Sequence, residues 1–300
     1  MVQLPMILLT GASGQLGEAL ARRLEARRAA YTAVTRPQFD FEKPETVRAS
    51  FAQTKPGLVI NAAAYTAVDK AETEREAAQS GNRTGPLLLA RLCAQADIPL
   101  IHVSTDYVFD GTKGAPYLET DPTNPAGVYG ATKRDGEAAI LGSGARAIIL
   151  RTAWVYSATG KNFARTMLIA GRKSRSLRVV ADQRGAPTFA GDLAAAILAI
   201  TDKITHTGWR PEYRGIFHAA AAGETTWHGF ATEIFEQAAK QGYQPPEVQP
   251  IATADWPTPA RRPADSRLDC HKLAEVFGLH LPDWRESLPG VVTELLRRDA

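Results

Sequence analysis

A chain of 300 residues with 44% hydrophobic and 22% charged side chains has the balance of a globular enzyme. It is long enough for one large domain or two small ones, and that balance excludes a disordered or fibrous protein. A net charge of +3 spread along the sequence argues against a nucleic-acid partner but suits a small anionic ligand. Cys93 and Cys270 stand far apart without metal-ligand spacing, as expected in a reducing cytoplasm. The apolar runs are strand-sized, and Met1-Val2-Gln3-Leu4-Pro5 lacks the basic and apolar segments of a signal peptide, so neither membrane span nor leader is expected.

Met6 to Thr10 is a short apolar run that leads into Gly11-Ala12-Ser13-Gly14-Gln15-Leu16-Gly17 and then a helical pattern of Leu16, Leu20 and Leu24. Strand, tight glycine turn and helix in this order bring backbone N–H groups and the positive end of a helix dipole to a pyrophosphate. Ala30 to Thr35 reads as the second strand, ending at Thr35-Arg36. A dinucleotide's adenosine ribose meets the end of that strand, where an arginine suits a 2′-phosphate, so the expected cofactor is NADPH, with NADH possible. Asp40 and Phe41 would border the adenine, although Phe41 also suits a core position.

Leu58 to Asn61 is a third strand running into Ala62-Ala63-Ala64-Tyr65-Thr66, where small residues allow a planar group to approach the backbone. A long helical pattern from about Arg75 to Ala96 carries Asn82 and Gly85. Leu100 to Ser104 is the fourth strand, with Thr105-Asp106-Tyr107 at its carboxyl end, the side on which an open parallel sheet binds its ligand. His102, among apolar residues, reads as core. Beyond it lies Tyr129-Gly130-Ala131-Thr132-Lys133. Residues four apart share a helix face, so the ammonium of Lys133 is expected near the Tyr129 phenol, lowering its pKa and fitting it for proton transfer.

Together these motifs resemble the extended short-chain dehydrogenase/reductase family. Ala63 to Glu72, Ser104 to Gly111, Asn124-Pro125, Arg151-Thr152-Ala153-Trp154-Val155-Tyr156, Asp182-Gln183-x-Gly185-Ala186-Pro187-Thr188 and Arg262-Pro263-x-x-Ser266 resemble its dTDP-4-dehydrorhamnose reductase branch more closely. The resemblance implies NAD(P)H-dependent reduction of a 4-keto group on dTDP-4-dehydro-L-rhamnose, giving dTDP-L-rhamnose. It implies Thr105, Tyr129 and Lys133 as the catalytic set, with Lys133 also on the nicotinamide ribose and Asn82 in support. The cofactor would lie against Gly11, Ser13, Gly14, Gln15, Leu16, Gly17, Arg36, Asp40, Phe41, Ala62, Ala63, Ala64 and Tyr65. Thr66, Tyr107 and Trp154 would face the sugar nucleotide, while Arg262 is a candidate clamp on its diphosphate through planar donors. Members commonly carry an aspartate where this chain has Thr35-Arg36. Some use magnesium, for which no carboxylate cluster can be assigned here.

Ala147 to Leu150 reads as a fifth strand, followed by a helix over Phe163 to Gly171, a strand over Leu177 to Val180, a helix capped by Asp192, a strand over Gly215 to Ala219 and a helix over Thr226 to Gln241. The expected architecture is α/β, a Rossmann-type doubly wound parallel sheet with a smaller, sequence-interleaved α/β substrate domain. Residues 1–152 would form the dinucleotide-binding domain, with returning segments near 176–182 and 214–241, and 153–175, 183–213 and 242–300 the substrate domain. A homodimer is compatible with this pattern. Two other functions remain open on the same residues: a nucleotide-sugar epimerase or dehydratase, and an NADP-binding regulatory subunit without turnover.

Overall fold

In the computed structural model, which describes residues 4–298, six strands form one parallel sheet. Ile7–Thr10 (β1), Tyr31–Val34 (β2), Leu58–Asn61 (β3), Pro99–Thr105 (β4) and Arg146–Thr152 (β5) are joined by the strand Gly215–His218. The spatial order is β2, β1, β3, β4, β5 and then Gly215–His218, every neighbouring pair parallel. The direction of winding reverses between β1 and β3. That is the crevice in which a doubly wound sheet takes its ligand.

Side chains alternate across a strand, and both faces of this sheet are covered, so the strands are mainly apolar. Ile7, Leu9, Ile60, Ile101 and Leu150 pack on one face against the helices Gln15–Ala26, Ala190–Thr207 and His271–Phe277. Leu8, Val59, Leu100 and Ile149 pack on the other against Pro44–Thr54, Gly85–Gln95 and Val128–Gly142. A third core, with Leu168, Phe230, Ile234, Trp284 and Leu288, holds together the helices Phe163–Gly171, Trp227–Ala239 and Trp284–Arg298.

The interleaving differs in detail from the sequence expectation. Gly215–His218 joins the main sheet, whereas Ser176–Val180 pairs in parallel with Glu247–Ile251 as a separate two-stranded ladder. The Trp227–Ala239 helix packs in the third core, and the Ala190–Thr207 helix, placed by sequence in the substrate region, covers the dinucleotide side of the sheet. Period and length mark a strand or helix but not its partners. Asp192 lies inside the first helical turn rather than capping it, and accepts a hydrogen bond from the Ser287 hydroxyl at 2.5 Å. Met1-Val2-Gln3 and the last two residues, which the expected domain ranges include, lie outside the described residues.

Candidate active site

The glycine turn forms because the backbone needs it. Gly11 has φ +70°, and a Cβ there would stand 2.6 Å from the Ala62 backbone, so a side chain is excluded by conformation and by space. At Gly17 a Cβ would meet the Gly11 carbonyl at 2.1 Å, which is what lets the Gln15–Ala26 helix start so close to β1. Gly11, Ser13 and Gly14 line a cavity of about 260 Å³ together with Thr35, Arg36, Asp40, Phe41, Ala62, Ala63, Ala64, Tyr65 and Thr66. The cavity thus occupies the winding reversal, with an exposed Arg36 at the end of β2.

Other expected cofactor residues take different positions. Leu16 packs in the core beneath the helix. Gln15 turns away from β1 to accept a hydrogen bond from the Ser157 hydroxyl at 3.0 Å. Neither they nor Gly17 line the cavity. Phe41 packs in the second core, with Phe39 edge-on at 5.1 Å, and also lines the cavity.

The helical run from Arg75 contains a π-helical turn, Ser80–Thr84, a widening often found beside functional sites. It directs the buried Asn82 side chain at the segment after β3. The amide oxygen accepts from Tyr65 N at 2.9 Å, and the amide nitrogen donates to Tyr65 O at 3.1 Å and to Thr132 Oγ1 at 3.0 Å. Asn82 therefore ties the cavity wall to the helix that carries Tyr129 and Lys133.

Thr105, Tyr107, Tyr129 and Lys133 meet at the carboxyl end of β4. The Thr105 hydroxyl donates to Asp106 at 3.0 Å and accepts from Tyr107 N at 3.2 Å. Beside it stands the Tyr129 phenol, whose ring meets that of Tyr107 edge-on at 5.6 Å. Burial dominates the ionisation of the group. It pushes Tyr129 up to about 12, only partly offset by the neighbouring Thr105 hydroxyl, and Asp106, buried beside it, up to about 6. The expected lowering of the phenol by Lys133 is not what the structure gives. The buried Lys133 amine donates instead to Val103 O at 2.7 Å and lies 3.4 Å from His102 Nε2, and burial draws it down to about 8.

Trp154 and Arg262 have partners that their local sequence does not announce. Trp154, with φ +47°, stacks on Trp227 with ring centroids 3.6 Å apart, and Trp227 donates to Gln183 at 3.1 Å. Arg262 donates to both carboxylate oxygens of Asp69, at 2.5 and 2.8 Å, and to Ala260 O. Its fork is already engaged, and it fastens a late segment of the chain to the Val68–Ala71 helix. Among the described residues, no group of three or more His, Cys, Asp or Glu side chains is arranged to hold a metal ion, and no helix is long and apolar enough to cross a membrane.

Sequence reasoning read His102 as core, and it is buried, but did not join it to a row of buried polar residues. Thr10, Asn61 and His102 stand side by side in register across β1, β3 and β4. Their signal was available as a polar residue within each of three largely apolar strands.

The family model described as the RmlD substrate binding domain matches residues 5–297. The chain is 43% identical to a dTDP-4-dehydrorhamnose reductase of Sinorhizobium fredii, over 97% of each chain. It is 42% identical to a Streptomyces antibioticus protein named probable dTDP-4,6-dihydroxy-2-methyloxan-3-one 4-ketoreductase, over 96% of this chain and 95% of that one. The crystal structure of dTDP-4-dehydrorhamnose reductase from Bacillus anthracis in complex with NADP superposes with a TM-score of 0.88 at 32% identity, covering 97% of this chain and all of that one. A match of this extent along the whole sequence places the chain in the dTDP-4-dehydrorhamnose reductase family.

Proposed function

We propose that the protein reduces the 4-keto group of dTDP-4-dehydro-β-L-rhamnose to dTDP-β-L-rhamnose with NADPH, the last step of dTDP-L-rhamnose biosynthesis. The observation that carries this reading is the convergence of Thr105, Tyr129 and Lys133 at the carboxyl end of β4, on the ligand-binding side of a sheet whose winding reversal holds a glycine-lined cavity. NADPH, when bound, supplies the hydride. Gly11, Ser13, Gly14 and Ala62 to Ala64 would hold it, with Arg36 at the 2′-phosphate. The NADP complex of the Bacillus anthracis relative supports that choice over NADH.

The chain's own part is acid catalysis. Charge grows on the ketone oxygen as the carbon is reduced, and a hydrogen bond from Thr105 together with a proton from Tyr129 would quench it. A phenol near 12 is protonated at neutral pH, the state required of a donor. Trp154 and Tyr107 would border the sugar nucleotide, Arg262 would act on it by keeping the late segment closed over the site, and the protein would work in the cytoplasm.

The test is oxidation of NADPH by purified protein with dTDP-4-dehydro-L-rhamnose generated in place. Tyr129→Phe should retain NADPH binding and lose roughly 10²–10⁴-fold in turnover, the usual worth of a positioned acid; turnover at the wild-type rate would reject the assignment. The similarity to a ketoreductase of another dTDP-linked sugar favours a second substrate class. Comparing kcat/KM for the two sugars decides between them.

A further inference from the structure

A chain of four buried side chains leads from the cavity wall to Lys133. Thr10, Asn61, His102 and Lys133 are each at most 1% exposed. Thr10 is the last residue of β1, immediately before Gly11. Its hydroxyl donates to Asn61 Oδ1 at 2.5 Å, and the same oxygen accepts from the backbone N–H of Ala63 at 3.1 Å. A backbone N–H can only donate, so this contact fixes which end of the Asn61 amide is oxygen. The amide nitrogen then faces His102 Nδ1 at 2.8 Å. Since that nitrogen donates, Nδ1 must accept. A neutral imidazole whose Nδ1 accepts carries its hydrogen on Nε2, and Nε2 is the atom 3.4 Å from the Lys133 amine.

Two donors therefore face each other. Protonating the ring to imidazolium is no escape, because that would put a hydrogen on Nδ1 against the Asn61 amide. Burial, followed by the nearby Lys133, holds His102 well below the ordinary histidine range. From β4, Lys133 is faced by His102 and by the Val103 carbonyl, which accepts one of its hydrogens. From its own helix it is faced by Glu137, which favours the ammonium, and Tyr129 stands one turn back. Glu137 is itself engaged by Arg151 of β5, and Asp106 lies nearer Tyr129.

We propose that His102 is a positioning residue for Lys133, locked by Asn61 as the Nε2–H tautomer so that its ring N–H opposes the amine and loosens the amine's hold on its third proton. While Lys133 is an ammonium, the opposing N–H turns its two free hydrogens away from the strand. When it is a neutral amine, its lone pair accepts from Nε2. The arrangement also couples the cofactor wall to the lysine, because the residue that fixes the tautomer takes its own orientation from Ala63, which lines the cavity. The functional consequence rests on the proposed role of Lys133 toward the cofactor, but the arrangement can be tested without it.

The experiment is NMR on cofactor-free protein. The ¹⁵N shifts of His102 should report the Nε2–H tautomer, without titration between pH 5 and 9. The Nδ1–H tautomer, or an imidazolium in that range, overturns the proposal on wild-type protein alone. With ε-¹³C lysine and Lys133→Met to assign the signal, His102→Leu should raise the titration midpoint of Lys133 about tenfold in proton affinity. An unmoved midpoint in a folded variant also overturns it. In parallel, the affinity for NADPH should weaken above the Lys133 midpoint, and His102→Leu should shift that limb equally. A moved NMR midpoint with an unmoved NADPH limb sustains the His102 assignment and rejects instead the contact between Lys133 and the cofactor.

Discussion

Replacing Glu137 with Gln keeps the size of the side chain and removes one charge from a buried pair behind the site. Arg151 and Glu137 are about 2% and 3% exposed. Arg151 Nε donates to both carboxylate oxygens at 3.0 and 3.2 Å, and Nη2 donates to Oε2 at 2.7 Å. The Ser104 hydroxyl adds a contact of 2.5 Å to Oε1, while among the described residues Arg151 Nη1 has no hydrogen-bond partner. An amide can serve at most one of the Arg151 donors well and presents N–H groups to the others, so the guanidinium is left buried without compensating charge. Losing one member of such a pair costs about 3–5 kcal/mol, a large share of the roughly 5–15 kcal/mol by which a protein is stable. Urea unfolding of Glu137→Gln should show a loss of that order. The double variant Glu137→Leu/Arg151→Met, in which both charges give way to apolar groups, should recover most of it, since a well-packed apolar replacement is often neutral or better. A loss below about 1 kcal/mol in the single variant would refute the reasoning, as would a double variant as unstable as the sum of its parts.

Lys133→Met tests the burial of a cation. The native group titrates near 8 and the free side chain at 10.5, so the unfolded chain binds more protons between those values and stability rises with pH there. Below pH 8 the buried ammonium carries its full penalty, about 3 kcal/mol, and above 10.5 none. The stability advantage of Lys133→Met over wild type should therefore be largest at pH 7 and shrink between pH 8 and 10. A constant gap, measured by urea unfolding, rejects it. Arg262→Ala and Asp69→Asn should each raise the KM for the sugar nucleotide while leaving NADPH affinity unchanged, and a double-mutant cycle on stability should give a coupling of about 1 kcal/mol for this partly exposed pair. Zero coupling would mean that the bridge does not fasten the late segment.

The parts of the site carried by short spacings were readable from the chain. The glycine turn, the alanines after β3 and the pair Tyr129 and Lys133 are fixed by backbone sterics and helical period, both properties of neighbours in sequence. What could not be read was the surroundings of each group. Four-residue spacing brings Lys133 and Tyr129 to one helix face, but the lysine's hydrogen bond goes to β4, and the burial that raises the phenol depends on what the fold lays over it. Trp154 was visible as a candidate, its stacking on Trp227 was not, because the two meet only through tertiary packing. Arg262 looked like a free clamp for the same reason, since Asp69 lies far away in the chain. The strand over 177–180 was legible and its pairing with Glu247–Ile251 was not. His102 looked like core, and it is buried, yet only strand register brings it into line with Thr10 and Asn61.

The wide turn at Ser80–Thr84 makes the length of this segment a constrained quantity in its own right. A π-helical turn holds one residue more than an α-helical one. Deleting a residue there would let the helix close to regular geometry, rotating one side of it by about 100° relative to the other. The Asn82 amide would leave the Tyr65 backbone, and Gly85, whose missing side chain makes room for the Phe41 ring, would turn off its partner. Exposed positions in the turn, such as Arg83, should accept many substitutions, whereas no single-residue deletion between 80 and 84 should be tolerated. Among relatives, variation in this segment should therefore appear as changes of residue and not as changes of length.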